Sequence, residues 1–152
     1  MKFWDSSAMV PLIVDEEETD YCLKTLSDDQ EMLIWCLSKV EVISALCRLV
    51  REKSLSVDEF QKAKKRLNDL IERAHKVKVI QKVRDRALRL LEVHRLRAAD
   101  ACQLASALVA TQEEPHRLAV ICFDQRFMRA AIKEGFVVNP DRPAVLPQPT
   151  EL

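Results

Sequence analysis

Short apolar runs alternate along the chain with longer stretches whose apolar residues recur at helical spacing, and few folds satisfy that alternation. The runs are Lys-Phe-Trp at 2–4, Met32 to Cys36, a weaker Val77 to Ile80, Leu118 to Phe123 and the pair Val137-Val138. Between them the pattern predicts helices over Ser7–Val14 and Glu16–Leu26, and another from Ser38 along the stripe Val42, Ala45, Leu46, Leu49 and Val50. Further helices are expected from after Ser56 to about Ala74, over Val83–His94 and Ala98–Thr111, then from Phe127 to a stop at Gly135. Strands that alternate with helices pair side by side in a mainly parallel sheet with helices on its faces, an α/β fold. With 152 residues, 48% of them hydrophobic, the chain suits one core. Residues 1–138 are expected to form that domain. The stretch 139–152, with four of the six prolines, is expected to be an irregular or loosely docked tail.

Composition removes several classes of function. The single glycine, Gly135, argues against the phosphate-cradling loops of nucleotide-binding proteins, which need several. Five cysteines without a CxxC pair suit reduced, mostly buried thiols in a cytoplasmic protein, and no histidine stands in a recognisable relation to any of them. No apolar run reaches the roughly 20 residues of a membrane span, so no membrane association is expected. The 24 basic and 24 acidic residues cancel overall but are unevenly spread. Met1–Glu31 carries nine acids against two lysines, whereas Arg48–Arg97 carries sixteen Lys and Arg against seven acids. Such a basic middle beside an acidic pocket suits a polyanionic partner; solvated helix faces are the plainer explanation.

Four acids stand out. Asp5 and Asp124 each follow a predicted strand directly, and sites in open parallel sheets form at the carboxyl ends of strands. Glu41 lies three residues after Ser38, at capping-box spacing, and so has a structural explanation; Asp5 and Asp124 likewise suit helix N-caps. Asp100, in the apolar context Ala-Ala-Asp-Ala-Cys-Gln-Leu-Ala, has the fewest structural explanations, because burying a lone carboxylate is costly. If the four converge, an all-oxygen donor set favours Mg2+ or Mn2+ over zinc. Hydrolysis of a phosphodiester is the natural chemistry of such a centre.

Taken in order, Asp5-Ser-Ser-Ala after the first strand, Ser38-x-x-Glu41 opening a helix, Ala99-Asp-Ala-Cys-Gln-Leu-Ala105 and Phe123-Asp-Gln-Arg-Phe127 resemble PIN-domain nucleases, especially the VapC toxins of toxin-antitoxin modules. The resemblance runs from Met1 to about Val138 and implies a three-layer α/β/α domain. It also implies an endoribonuclease in which Asp5, Glu41, Asp100 and Asp124 line the site and bind Mg2+ or Mn2+, acting as a homodimer with a cognate antitoxin protein and RNA as substrate. Arg97, three residues before Asp100, is a candidate contact to RNA phosphate. One departure is Cys122, two residues before the last acid, where the family often has Thr or Ser; a thiol is a weaker partner than a hydroxyl, which bears on how Asp124 is oriented. Trp4 and Trp35 are expected in the core, and His94 in a structural or exposed role. Two other functions compete. One is a catalytically inactive PIN-like binding or scaffold protein, against which the complete acid set speaks. The other is a phosphatase with Asp5 as nucleophile, which would want an acid at Ser7.

Overall fold

In the computed structural model, residues 1–142 are described. The chain runs through β1 (Lys2–Trp4), α1 (Ser6–Met9), a 3-10 turn at Val10–Leu12, α2 (Thr19–Asp28), β2 (Met32–Trp35), α3 (Ser38–Arg51) and α4 (Val57–Arg73). It continues through β3 (His75–Val77), α5 (Ile80–Val93), α6 (Ala98–Ala110), a 3-10 turn at Pro115–Arg117, β4 (Ala119–Ile121), α7 (Gln125–Lys133) and β5 (Val137–Val138). The five strands lie in the order β3-β2-β1-β4-β5 and every pairing is parallel.

Alternation along each strand sends neighbouring side chains to opposite faces and divides the core in two. Phe3, Trp35, Val77 and Val120 face Val83, Ala87 and Leu90 of α5, Leu104 and Leu108 of α6 and Phe127 of α7. Trp4, Met32, Ile34 and Ile121 face Met9 of α1, Val42 and Leu46 of α3, and Ala63 and Leu67 of α4. The expected three-layer α/β/α sandwich is therefore the observed one, with helices α1 to α4 on one face and α5 to α7 on the other. Trp4 and Trp35 are both core residues, at 0% and 2% exposure.

Departures from the sequence pattern have local causes. Pro11 has no N–H to donate, so the first helix changes to a 3-10 turn after Met9. The third strand is His75–Val77 rather than Val77–Ile80: the backbone of β2 pairs Leu33 with His75 and Trp35 with Val77, and Ile80 already opens α5. Polar His75 and Lys76 are tolerated because β3 is an edge strand, where a lysine also discourages pairing with another chain. A complete capping box exists at Ser56 and Glu59, not at Ser38. The stretch expected as a loose tail from Asn139 starts docked. Asn139 is buried, its amide accepting from Cys122 N–H at 2.9 Å and donating to Cys122 C=O at 2.6 Å. Tyr21 Oη donates to Pro140 C=O at 2.9 Å, and Arg142 pairs with Glu18. The rest of that tail, 143–152, lies outside the described residues.

Gly135 ends α7 as expected. Its φ of +99° lets Phe136 N–H return to Ala131 C=O at 3.0 Å, and a Cβ there would sit 3.1 Å from Pro115 Cγ. Gly135→Ala is expected to cost about 1–2 kcal/mol, read as a lowered urea midpoint with an unchanged slope. An unchanged midpoint would show that the α7 terminus relaxes without cost.

Candidate active site

The strand order reverses between β1 and β4, since the chain moves outward from β1 through β2 to β3 and then returns to the other side of β1. At such a reversal the connections leave in opposite directions and open a crevice at the carboxyl ends of the two strands. Asp5 follows β1 there and Asp124 follows the end of β4. Asp5 N–H donates to Ile121 C=O at 3.0 Å, which joins the two strand ends. A cavity of about 560 Å³ opens at this point, lined by Asp5, Ser6, Ser7, Glu16, Glu41, Ser44, Arg48, Arg97, Asp100 and Asp124, with Val10, Val40, Ala45, Leu49 and Ala99. Asp5, Glu41, Asp100 and Asp124 thus share one cavity, brought there by β1, α3, α6 and the β4–α7 connection.

Both strand-end aspartates are also helix caps. Asp5 Oδ2 accepts from Ser7 N–H at 3.0 Å and from Ser7 Oγ at 2.6 Å, at the start of α1. Asp124 Oδ1 accepts from Phe127 N–H at 2.8 Å, at the start of α7. Cap and cavity are compatible, because a carboxylate has a second oxygen left to present. For Asp5 that second oxygen, Oδ1, is buried without any partner.

Glu41 is not a capping residue. Leu37 takes the N-cap position of α3 in a turn-like conformation, and no side chain caps it. Ser38, fully buried, instead accepts from Gln103 Nε2 at 3.0 Å. Glu41 Oε2 accepts from Ser6 Oγ at 2.8 Å and Gln103 Nε2 at 3.1 Å, so its carboxylate is aimed by α1 and α6 together. Gln103 and Ser6 were not singled out from the sequence. The available signal was spacing: Gln103 lies three residues after Asp100, on the same helical face. Ser6, likewise, is next to Asp5 in chain and cavity.

Cys122 takes the place of a hydroxyl without touching the Asp124 carboxylate. Its buried sulfur lies 3.6 Å from Asp5 Oδ2 and accepts from Asp124 N–H at 3.3 Å. Ser7 Oγ supplies the stronger bond to Asp5 and accepts from Phe123 N–H at 3.0 Å. Asp124 owes its orientation to the cap bond with Phe127. Burial, with the Asp5 and Asp124 charges adding to it, pushes the Cys122 thiol far up, so it remains a neutral thiol.

Like charges in a sheltered cavity raise one another's pKa. Burial pushes Glu41 up to about 7, against the hydrogen bonds from Gln103 and Ser6 and with help from the Asp5 and Asp100 charges. Asp100 is pushed up to about 6, first by burial and then by Asp124 and Asp5, while the backbone and charge of Arg97 oppose the rise. Asp5 is also raised, by burial before the Asp124 charge, against its bonds to Ser7 and Cys122. A divalent cation would relieve this repulsion and give Asp5 Oδ1 a partner, so the residues present fit one. Among the described residues, no three His, Cys, Asp or Glu side chains stand as a ready-made coordination shell; they share a cavity but do not converge on a single point.

The all-parallel α/β/α sheet thus brings Asp5, Glu41, Asp100 and Asp124 to one cavity at its topological switch. The sequence matches the PIN domain family over residues 2–133, and the chain belongs to that family. Solved structures share the fold. A toxin-antitoxin complex from Klebsiella pneumoniae aligns with a TM-score of 0.60 at 16% identity over 84% of this chain and 90% of that one. FitAcB from Neisseria gonorrhoeae aligns with a TM-score of 0.61 at 16% identity over 91% and 96%. PAE2754 from Pyrobaculum aerophilum gives 0.59 at 16% identity over 91% and 88%. No curated protein sequence matches the chain. Among the described residues no helix is long and apolar enough to cross a membrane.

Proposed function

We propose that the chain is a metal-dependent endoribonuclease, the toxin of a toxin-antitoxin pair, working at the cavity lined by Asp5, Glu41, Asp100 and Asp124. The observation that carries the reading is the unpartnered buried oxygen of Asp5 within a set of mutually repelling carboxylates, an arrangement that calls for a hard cation. Family membership and structural likeness to a toxin-antitoxin complex support the biological setting. In this reading the four acids hold Mg2+ or Mn2+, which when bound lowers the pKa of a water and offsets charge on the phosphate.

The remaining work falls to the protein. Ser7 holds Asp5 in place through two bonds to Oδ2, leaving Oδ1 for the cation. Ser6 and Gln103 fix Glu41, and the Phe127 N–H fixes Asp124. Glu41, aimed into the cavity by its bonds from Ser6 and Gln103, completes the acid set that would hold the cation. Arg97 at the rim pairs with a phosphate oxygen of the RNA. A homodimer and a cognate antitoxin that covers the cavity complete the proposal.

The test is cleavage of a mixed RNA by the purified chain in Mn2+ and in chelator. Cleavage in Mn2+ that stops on chelation is expected. Equal cleavage in both, or none in either, overturns the reading; a metal-induced rise in melting temperature without cleavage would favour the inactive scaffold.

A further inference from the structure

A second cavity, of about 380 Å³, has the opposite character to the acid-lined one. Its walls are Val93, His94, Arg95, Arg126, Arg129, Ala130 and Lys133. Arg95, Arg126, Arg129 and Lys133 are exposed, and none has a carboxylate partner among the described residues. The neighbouring acid, Glu134, is occupied: it accepts from Arg86 at 3.1 Å and pairs with His94 Nε2 at 2.6 Å. Those two bonds tie the middle and the C-cap of α5 to the end of α7.

Two elements join this cleft to the acid cavity. The connection from α5 to α6 puts His94 and Arg95 in the cleft and Arg97 in the acid cavity. Helix α7 is capped by Asp124 in the acid cavity and presents Arg126, Arg129 and Lys133 to the cleft. At 1.5 Å per residue the helix carries this basic line about 13 Å away from Asp124, roughly four nucleotides at the 3.4 Å rise of a stacked strand.

We propose that the cleft formed by Arg95, Arg126, Arg129 and Lys133 holds the phosphate backbone of the RNA strand whose scissile bond lies over the carboxylates. This rests on the nuclease reading and adds the direction in which the strand leaves the site: along α7, away from α3 and Arg48. Converging cations without carboxylate partners repel one another unless an anion joins them, and a polyanion reaching both cavities satisfies the cleft and the cation-loaded acids together. The cleft supplies affinity and register, with no base recognition.

The test is equilibrium binding of a labelled single-stranded RNA in chelator, followed by fluorescence anisotropy over a salt series. Arg126→Gln with Arg129→Gln is expected to weaken binding about tenfold and to reduce the log–log salt slope by about 1.4, since each lost phosphate contact on a single strand removes about 0.7. Lys64→Gln with Lys65→Gln, an equal charge change on α4 across the sheet, is expected to leave both unchanged. Melting curves matching the parent confirm that the exposed substitutions leave the fold intact. If the parent cleaves RNA in Mn2+ but the α7 variant binds as tightly as the parent, or no more weakly than the α4 variant, the cleft assignment falls and the nuclease reading stands. If the parent neither binds nor cleaves RNA, both fall. Binding of poly-glutamate as tightly as RNA, lost in the α7 variant, would overturn the assignment in favour of an acidic protein partner.

Discussion

Asp5→Asn is expected to lose at least a hundredfold in Mn2+-dependent RNA cleavage while melting no lower than the parent in the absence of metal at pH 8. Asp5 is 2% exposed, has one oxygen without a partner and shares the cavity with Glu16, Glu41, Asp100 and Asp124. A neutral amide keeps an oxygen for Ser7 to bind but removes a buried charge that burial and Asp124 both disfavour. In the proposed reading the same change withdraws a ligand from the cation, whose contribution to a phosphoryl transition state is several kcal/mol, so a loss of about two to three orders of magnitude in rate is expected. Asp100→Asn is expected to behave in the same way. Opposite movements of activity and stability distinguish a metal ligand from a structural acid. A large fall in melting temperature for Asp5→Asn would mark the residue as chiefly a helix cap; retained cleavage would remove it from the site.

The second large effect is a pH dependence of the metal-free protein. Glu41 and Asp100 titrate near 7 and near 6 in the fold, against 4.5 and 3.8 for the free groups. A folded state that holds these protons more tightly than the unfolded chain gains stability in full at pH below the ordinary values. It loses that stability as pH rises from about 4 through 7. Without metal, thermal melting at pH 8 is therefore expected on the order of 5 °C below that at pH 5. Mn2+ at about a hundred times its dissociation constant is expected to add back about 2.7 kcal/mol, or some 5–10 °C, at pH 8 and much less at pH 5, where protons compete for the same oxygens. A melting temperature independent of pH over this window, or a metal effect equal at the two pH values, would separate these carboxylates from the metal site.

Much of this was legible before any coordinates. The strands of the inner sheet announce themselves by apolar runs, and Phe3 and Trp4 pointing to opposite faces is what an alternating strand between two helical layers requires. The positions of Asp5 and Asp124 followed from strand ends. The role of Glu41 did not: Ser-x-x-Glu has the spacing of a capping box, and only the bonds that Gln103 of α6 makes to Ser38 and Glu41 of α3, reaching between the two helical layers, show what holds them. Those bonds join residues more than sixty positions apart, beyond the reach of any local pattern. β3 was misplaced for a similar reason, since its register is set by β2 and not by its own hydropathy. The docking of Asn139 was hidden by the prolines around it, which mark a change of direction but say nothing about a side-chain amide bonded to both backbone groups of Cys122.

The strand order also sets a timetable. β1 lies at the centre of the sheet, yet one of its two neighbours, β4, comes from the far end of the domain, with Lys2 paired to Ala119 and Trp4 to Ile121. On a ribosome adding roughly 5–20 residues per second, β1 waits on the order of ten seconds for that neighbour, with one side unpaired. Asp5, Glu41 and Asp100 all emerge before the strand that delivers Asp124. A nascent chain of this fold therefore cannot bring its four carboxylates into one cavity until β4 and Asp124 have emerged, so the pocket is among the last parts of the domain to assemble.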